Sequence, residues 1–125
     1  MTINLDAIIL YVHDVDLLKS FYRDMFHMQV LEEDPSVWVL LEAGNGKLGL
    51  HKAGEQYRNE GKGGAGCESN CKIVFDISED IGEARTRLLE RNVEMREIKT
   101  FEHYDYWLCD GADPEGNIFQ LKKRK

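Results

Sequence analysis

Two short runs of hydrophobic residues, each followed by an amphipathic segment, organise the chain. The runs are "AIILYV" (7–12) and "KIVFDI" (72–77), and both are rich in β-branched and aromatic residues, which predicts strands. Apolar residues then recur at intervals of three and four over 14–26 and 78–92, which predicts a helix after each strand. Asp14 and Ser78 are expected to cap these helices, and Asn92 suits a left-handed stop.

A hairpin pattern follows each helix, with a turn sequence between two apolar stretches. We expect it as "VWVLLEA" (37–43), "GNGK" and "LGLHKA" (48–53) in the first half, and as "DYWLCD" (105–110), "DPEGN" and "IFQLK" (118–122) in the second. A weaker third element is expected near "QVLEE" (29–33) and "EMREI" (94–98). Each half therefore reads strand, helix and three strands.

The two halves predict one domain over 1–125, with module one at about 3–53 and module two at about 71–122. Between them, residues 54–70 form a glycine-rich connector, and a stretch of that length without secondary structure is often functional or mobile. The connector reading is favoured over a lid, although one does not exclude the other.

Strand alternation assigns faces within each module. Ile8, Leu10 and Val12 are expected to meet the helix, so Ala7, Ile9 and Tyr11 line the opposite, concave side. The same rule turns Phe119 and Leu121 toward a helix. Gln120 then joins Gly49 and His51 in the concavity, where its amide can face a ligand or water.

Composition and charge narrow the function classes. A net charge of -7 over 125 residues disfavours nucleic acid as a partner. The chain has no apolar run of membrane-spanning length, and its first ten residues lack a signal pattern, so a cytoplasmic protein without membrane contact is expected. The basic run "KKRK" at the end is interpreted as a solvated tail. Three cysteines argue against a disulfide framework.

The chain resembles the vicinal oxygen chelate superfamily, which includes glyoxalase I, extradiol dioxygenases, fosfomycin-resistance transferases and bleomycin-resistance proteins. The similar stretches are "LDAIILYVHDVDLLKSFYRDMF", "WVLLEAGNGKLGLH", "KIVFDISEDIGEARTRLLERNVEM" and "DPEGNIFQL". The resemblance implies an α+β fold in which two βαβββ modules form a cupped, partly closed mixed sheet with the helices outside. It also implies a homodimer, although the sequence leaves open whether modules pair within one chain or between chains.

Metal-using members of this family hold a divalent cation at four positions, which the resemblance places at Ala7, Gly49, Lys72 and Gln120. Alanine and glycine carry no donor, and a protonated lysine repels a cation. One neutral amide does not assemble a metal site, so we expect no metal and no other cofactor. The family commonly has glycine where His27 stands, and His27 is interpreted as a strained helix stop.

Several side chains are candidates for chemistry or binding. Tyr11, Trp38, Tyr106 and Trp107 could form an aromatic wall for a planar or cationic guest, and only one of the last two can face the cup. His51 is expected to be a half-buried, hydrogen-bonded residue; as a metal ligand it would need partners, for which Glu42 and Gln120 are the candidates. Lys72 is expected to pair with Asp76 or Glu42, with an anion contact as the alternative. His103 and Asp105 could form an acid–base pair.

Two functions follow from these expectations. The first is a glyoxalase/bleomycin-resistance-like protein that lacks the metal ligands and binds a small aromatic or cationic molecule in the cup or dimer groove, through Tyr11, Trp38, His51, Lys72, Tyr106, Trp107 and Gln120. The alternative is a glyoxalase-like lyase, isomerase or dioxygenase that uses a divalent metal, or His51, Lys72 or His103 as acid–base groups.

Overall fold

A computed structural model describes residues 1–54 and 71–125 and gives two compact units. The predicted connector lies almost wholly outside the described residues. Each unit is a mixed four-stranded sheet with one helix, so the expected pair of α+β βαβββ modules is confirmed. Within the described residues, no helix has the length and apolar character needed to span a membrane.

The first unit contains β1 (Ala7–Val12), α1 (Val15–Phe26), β2 (Gln29–Asp34), β3 (Trp38–Ala43) and β4 (Gly46–Lys52). Its strand order is β1-β4-β3-β2, with β1 parallel to β4 and the other neighbours antiparallel. The weak element predicted near 29–33 is a full six-residue strand with a bulge between Val30 and Glu32.

The second unit contains β5 (Ile73–Asp76), α2 (Ile81–Glu90), β6 (Glu94–Met95), β7 (Tyr106–Ala112) and β8 (Ile118–Arg124). Its order is β5-β8-β7-β6, with the same pattern of one parallel and two antiparallel pairings. The basic run at the end is not a tail, because β8 continues through Arg124.

Each helix packs on one face of the sheet in its own unit; the other face, called the open face below, carries no helix among residues 1–54 and 71–125. The burial of alternate strand residues against the helix stabilises each unit, since every buried aliphatic side chain contributes about 1.5–3 kcal/mol. The buried residues of the first unit include Val12, Leu18, Phe21, Tyr22, Val39, Leu41, Leu48 and Leu50. Those of the second unit include Ile81, Ala84, Leu88, Met95, Cys109, Phe119 and Leu121.

The helix ends show why the chain turns where it does. Asp14 caps α1 by accepting a hydrogen bond from the Leu17 amide at 3.0 Å, as predicted. The cap of α2 is Asp80, which accepts from the Glu83 amide at 3.0 Å, so the prediction of Ser78 was wrong. A capping side chain must directly precede the first helical residue, and the helix begins only at Ile81.

His27 ends α1 in the left-handed region, with φ 56°, which confirms it as a strained stop. We expect His27→Gly to raise the free energy of unfolding by about 0.5 kcal/mol, because glycine removes the Cβ strain but costs more chain entropy. Thermal unfolding measures the change. The control Ser20→Gly, inside the same helix, should lower stability by about 0.5 kcal/mol; equal losses in both variants would contradict this account.

Candidate functional site

The open face of the first unit carries a row of three rings. Tyr11 in β1 and Trp38 in β3 both lie opposite His51 in β4. The ring centroids of Tyr11 and His51 are 5.5 Å apart, and those of Trp38 and His51 are 6.0 Å apart. Tyr11 is 69% exposed, so this aromatic row (Tyr11, His51, Trp38) offers ring surface to a guest.

Trp38 lies across the backbone of Gly49. A Cβ atom at position 49 would sit 2.6 Å from Trp38 Cη2 and 3.0 Å from Ile9 Cγ1, so a side chain there would have to displace the indole. The indole Nε1–H donates to Glu32 Oε1 at 3.3 Å. The ring therefore occupies the direction in which a side chain from position 49 would project.

His51 is held by the backbone beside it. Its Nδ1 donates to the carbonyl oxygen of Lys52 at 2.8 Å, and the residue is half-buried. The expectation of a half-buried, hydrogen-bonded histidine is confirmed. Glu42 lies opposite Lys47 in the sheet register and not opposite His51.

Asp110 is the centre of the open face of the second unit. Lys72 Nζ lies 2.9 Å from Asp110 Oδ2, and Gln120 Nε2 donates to Asp110 Oδ1 at 2.8 Å. Lys72 therefore pairs with an acid, as expected, but the acid is neither Asp76 nor Glu42. Gln120 lies on the open face, as predicted, and its side-chain amide donates a hydrogen bond to the Asp110 carboxylate.

The ion pair changes the acidity of Asp110. Burial alone would raise the pKa of the carboxyl group, but hydrogen bonds from Lys72 and Gln120 and the charge of Lys72 together outweigh burial and hold the pKa below its ordinary value. A carboxyl group with a lowered folded pKa stabilises the fold above its unfolded pKa of about 4, and this contribution is lost as the pH falls through the folded pKa.

Lys72→Met tests this linkage. At pH 7 we expect the variant to lose about 0.5–1 kcal/mol of unfolding free energy, the range of a pair that solvent still screens. The gap in melting temperature between the variant and the native chain should narrow as the pH falls below about 4 and through the lowered folded pKa of Asp110, because a protonated carboxyl group no longer pairs with Lys72. Lys123→Met, which breaks no ion pair among the described residues, is the control; a gap independent of pH would contradict the assignment.

The strand register decides between the two aromatic residues of β7. Tyr106 lies opposite Arg124. Because alternate residues of a strand share a face, Tyr106 lies on the same face as Asp110, which is opposite Gln120. Trp107 lies on the helix-covered side, in register with Lys123. Tyr106 therefore faces the open side, and Trp107 does not belong to the wall predicted for it.

His103 does not pair with Asp105. Its side chain is 90% exposed in the loop before β7, and the carboxylate in ion-pair range, at 3.5 Å, belongs to its neighbour Glu102. A fully hydrated imidazole beside a hydrated acid lacks the burial that tunes a catalytic base. The predicted acid–base pair of His103 with Asp105 is therefore wrong, because the nearby carboxylate belongs to Glu102.

The four family positions do not fit a divalent cation. Ala7 and Gly49 provide no donor atom, Lys72 offers an ammonium group already bound to Asp110, and the Gln120 amide donates to the same carboxylate. In residues 1–54 and 71–125, no three His, Cys, Asp or Glu side chains come together as metal ligands. A neutral amide oxygen and an ion-paired ammonium lack the hard or imidazole donors that such metals bind.

Two polar side chains of the open faces, Glu32 and Asp110, were not predicted from the sequence. Glu32 was assigned to a weak element, and only the β2–β3 register brings it to Trp38. Asp110 could have been found, because the five-residue turn 113–117 pairs Ala112 with Ile118 and therefore Asp110 with Gln120.

The sequence was compared with protein families and with curated proteins. A family model described as the Glyoxalase/Bleomycin resistance protein/Dioxygenase superfamily matches residues 4–121. A comparison with curated proteins finds no match.

Solved structures share the fold at low sequence identity. A fosfomycin resistance protein, FosX, from Listeria monocytogenes has a TM-score of 0.78 and 17% identity, covering 100% of this chain and 96% of its own. An antibiotic binding protein from Streptomyces has a TM-score of 0.75 and 18% identity, covering 99% and 98%. Lactoylglutathione lyase from Agrobacterium tumefaciens has a TM-score of 0.73 and 17% identity, covering 96% and 92%.

Proposed function

Because the chain belongs to the Glyoxalase/Bleomycin resistance protein/Dioxygenase superfamily, we propose that it is a metal-independent member that binds a small cationic molecule with a planar ring. The binding surface is the aromatic row of the first unit. Enzymes of the metal-using kind need the cation as a Lewis acid, and the residues at the four family positions supply no set of ligands for one.

The position of Trp38 over Gly49 carries this proposal. At the position where the family resemblance places a ligand side chain in metal-using members, the six-membered ring of the Trp38 indole lies in this chain. Tyr11 and His51 extend the ring surface across two more strands. Aromatic surface on a sheet binds planar guests by stacking and area burial rather than by coordination.

Charge supports a cationic guest for the first unit. Glu32 lies against the indole N–H, and Asp34 lies opposite Trp38 in the register. The chain as a whole has a net charge of -7, which favours the approach of cations. A cation over an aromatic face gains about 0.5–2 kcal/mol beyond area burial.

One structural neighbour is an antibiotic binding protein, which is compatible with a sequestering role for this chain. The groove between two copies of the chain, implied by the family resemblance, belongs to the same proposal. Light scattering with and without ligand would show whether binding requires a dimer.

The test uses two probes that share a ring and differ in charge, benzyltrimethylammonium and benzoate. The chain has two tryptophans, so Trp107→Phe leaves Trp38 as the only indole and reports ligand at the aromatic row through its emission. We expect benzyltrimethylammonium to shift this emission and benzoate to leave it unchanged. Calorimetry should then show an affinity about tenfold weaker in Trp38→Ala than in Trp107→Phe.

Two results would overturn the proposal. Equal affinity of both tryptophan variants for the ammonium probe would remove Trp38 from the site. Stoichiometric zinc, nickel, manganese or iron in protein purified without chelator would refute the metal-independent assignment and support the enzyme alternative.

A further inference from the structure

The basic run at the end of the chain is divided between the two faces of a strand. In β8, Lys122 and Arg124 lie on the open face of the second unit, opposite Leu108 and Tyr106 respectively. Lys123, between them, lies opposite Trp107 on the other face, and the Lys125 ammonium lies 5.0 Å from the Trp107 ring centroid. Of the four basic residues 122–125, the sheet therefore places Lys122 and Arg124 together on the open face of the second unit.

Both selected cations converge on the ring of Tyr106. Lys122 Nζ lies 4.1 Å from the ring centroid, and the Arg124 guanidinium carbon lies 5.6 Å from it. Arg124 Nη1 also donates to the Tyr106 hydroxyl oxygen at 3.2 Å. One aromatic ring thus has two cationic groups within 6 Å of its centroid.

These two charges have no counter-ion in the part of the chain that the structure describes. The ion pairs there engage Lys19, Lys47 and Lys72, for example, but neither Lys122 nor Arg124. Asp76 lies opposite Lys122 in the register, yet no ion pair joins them. Two like charges on one ring repel each other, and an anion bound between them would relieve that repulsion with charge-assisted hydrogen bonds.

Further rings continue from Tyr106. The centroid of Tyr104 is 5.5 Å from that of Tyr106, and the centroid of Phe101 is 6.1 Å from that of Tyr104. Phe101 is 58% exposed. A ligand whose anionic group pairs with Lys122 and Arg124 would place an attached ring against this exposed aromatic surface.

We propose that Phe101, Tyr104, Tyr106, Lys122 and Arg124 form a binding site for a small anion that carries a planar ring. The anionic group is a carboxylate or a phosphate, since both accept from Lys and Arg. This second-unit site differs in residues and in ligand charge from the aromatic row, so it does not depend on the function proposed above.

Calorimetry with benzoate and phenyl phosphate tests the site, and the tighter probe identifies the anionic group. We expect Lys122→Met and Arg124→Met each to weaken binding by about tenfold, as the loss of one charge-assisted contact does. Lys123→Met is the matched control, because it removes the same charge one residue away on the opposite face. It should change the affinity by less than about twofold, and Lys122→Arg should retain binding.

Higher salt should weaken the binding of both anions, because the site is exposed and screened. Three outcomes would overturn the proposal: no binding of either anion, unchanged binding in Lys122→Met and Arg124→Met, or an equal loss in Lys123→Met. None of them bears on benzyltrimethylammonium at Trp38, so failure here is distinguishable from failure of the first proposal.

Discussion

Gly111→Ala is expected to lower the free energy of unfolding by about 2–3 kcal/mol. A Cβ atom at position 111 would lie 2.5 Å from Met95 Sδ and 2.5 Å from Phe119 Cζ. Phe119 is fully buried and Met95 nearly so, and a close-packed interior gives way only at a cost in strain. Urea unfolding measures the loss as a lower midpoint with an unchanged slope.

Gly46→Ala is the control for this substitution. Its added Cβ would meet nothing nearer than the Ala43 carbonyl oxygen at 3.9 Å. We expect a change within about 0.5 kcal/mol, in either direction. Equal unfolding midpoints for Gly111→Ala and the native chain would contradict this prediction. They would show that the interior around Met95 and Phe119 accepts a methyl group at position 111 without strain.

The same glycine connects core packing to the open face. Gly111 follows Asp110 in β7 and lies opposite Phe119, while Asp110 lies opposite Gln120. A backbone shift at Gly111, such as Gly111→Ala would force, would therefore also displace the Asp110 carboxylate that holds Lys72. Close packing at Gly111 on the helix-covered face therefore helps to fix the position of Asp110 on the open face.

Alternation of side chains predicted much of this arrangement. The periodicity in 7–12 and 118–122 placed Tyr11 and Gln120 on the open faces, and both lie there. Register was the part that periodicity could not provide, since it depends on turn geometry and bulges. For this reason, the sequence alone did not predict the ion-pair partner of Lys72 or the face of the sheet on which Trp107 lies; both depend on the pairing of β7 with β8.

Local composition also failed to separate strand ends from tails. A run of four basic residues is typical of a solvated terminus, yet three of them continue β8 through Arg124 because β7 pairs with them. Similarly, Ser78 and Asp80 are both good capping residues, and only the start of α2 at Ile81 selects the aspartate. In each case tertiary context chose among local options of similar energy.

The turn between β7 and β8 depends on one buried side chain. Asp113 is 4% exposed, and its Oδ1 accepts from the amides of Glu115 and Asn117, each at 2.9 Å. The Asn117 side-chain amide reaches both carboxylate oxygens, at 3.1 and 2.9 Å. An Asp side chain that binds its own downstream backbone fixes a turn, and this turn fixes the register that sets Asp110 opposite Gln120.

Asp113→Ala is therefore expected to lower the free energy of unfolding by about 3 kcal/mol, because several part-buried donors lose their acceptor together. Asp113→Asn keeps one acceptor oxygen of the same shape and should lose less than half as much. Urea unfolding of both variants gives the comparison, and losses under about 0.5 kcal/mol in both would contradict the role of this turn. If the turn does set the register, Asp113→Ala should also weaken the Lys72–Asp110 pair, so adding Lys72→Met to it should cost less than Lys72→Met costs in the native chain.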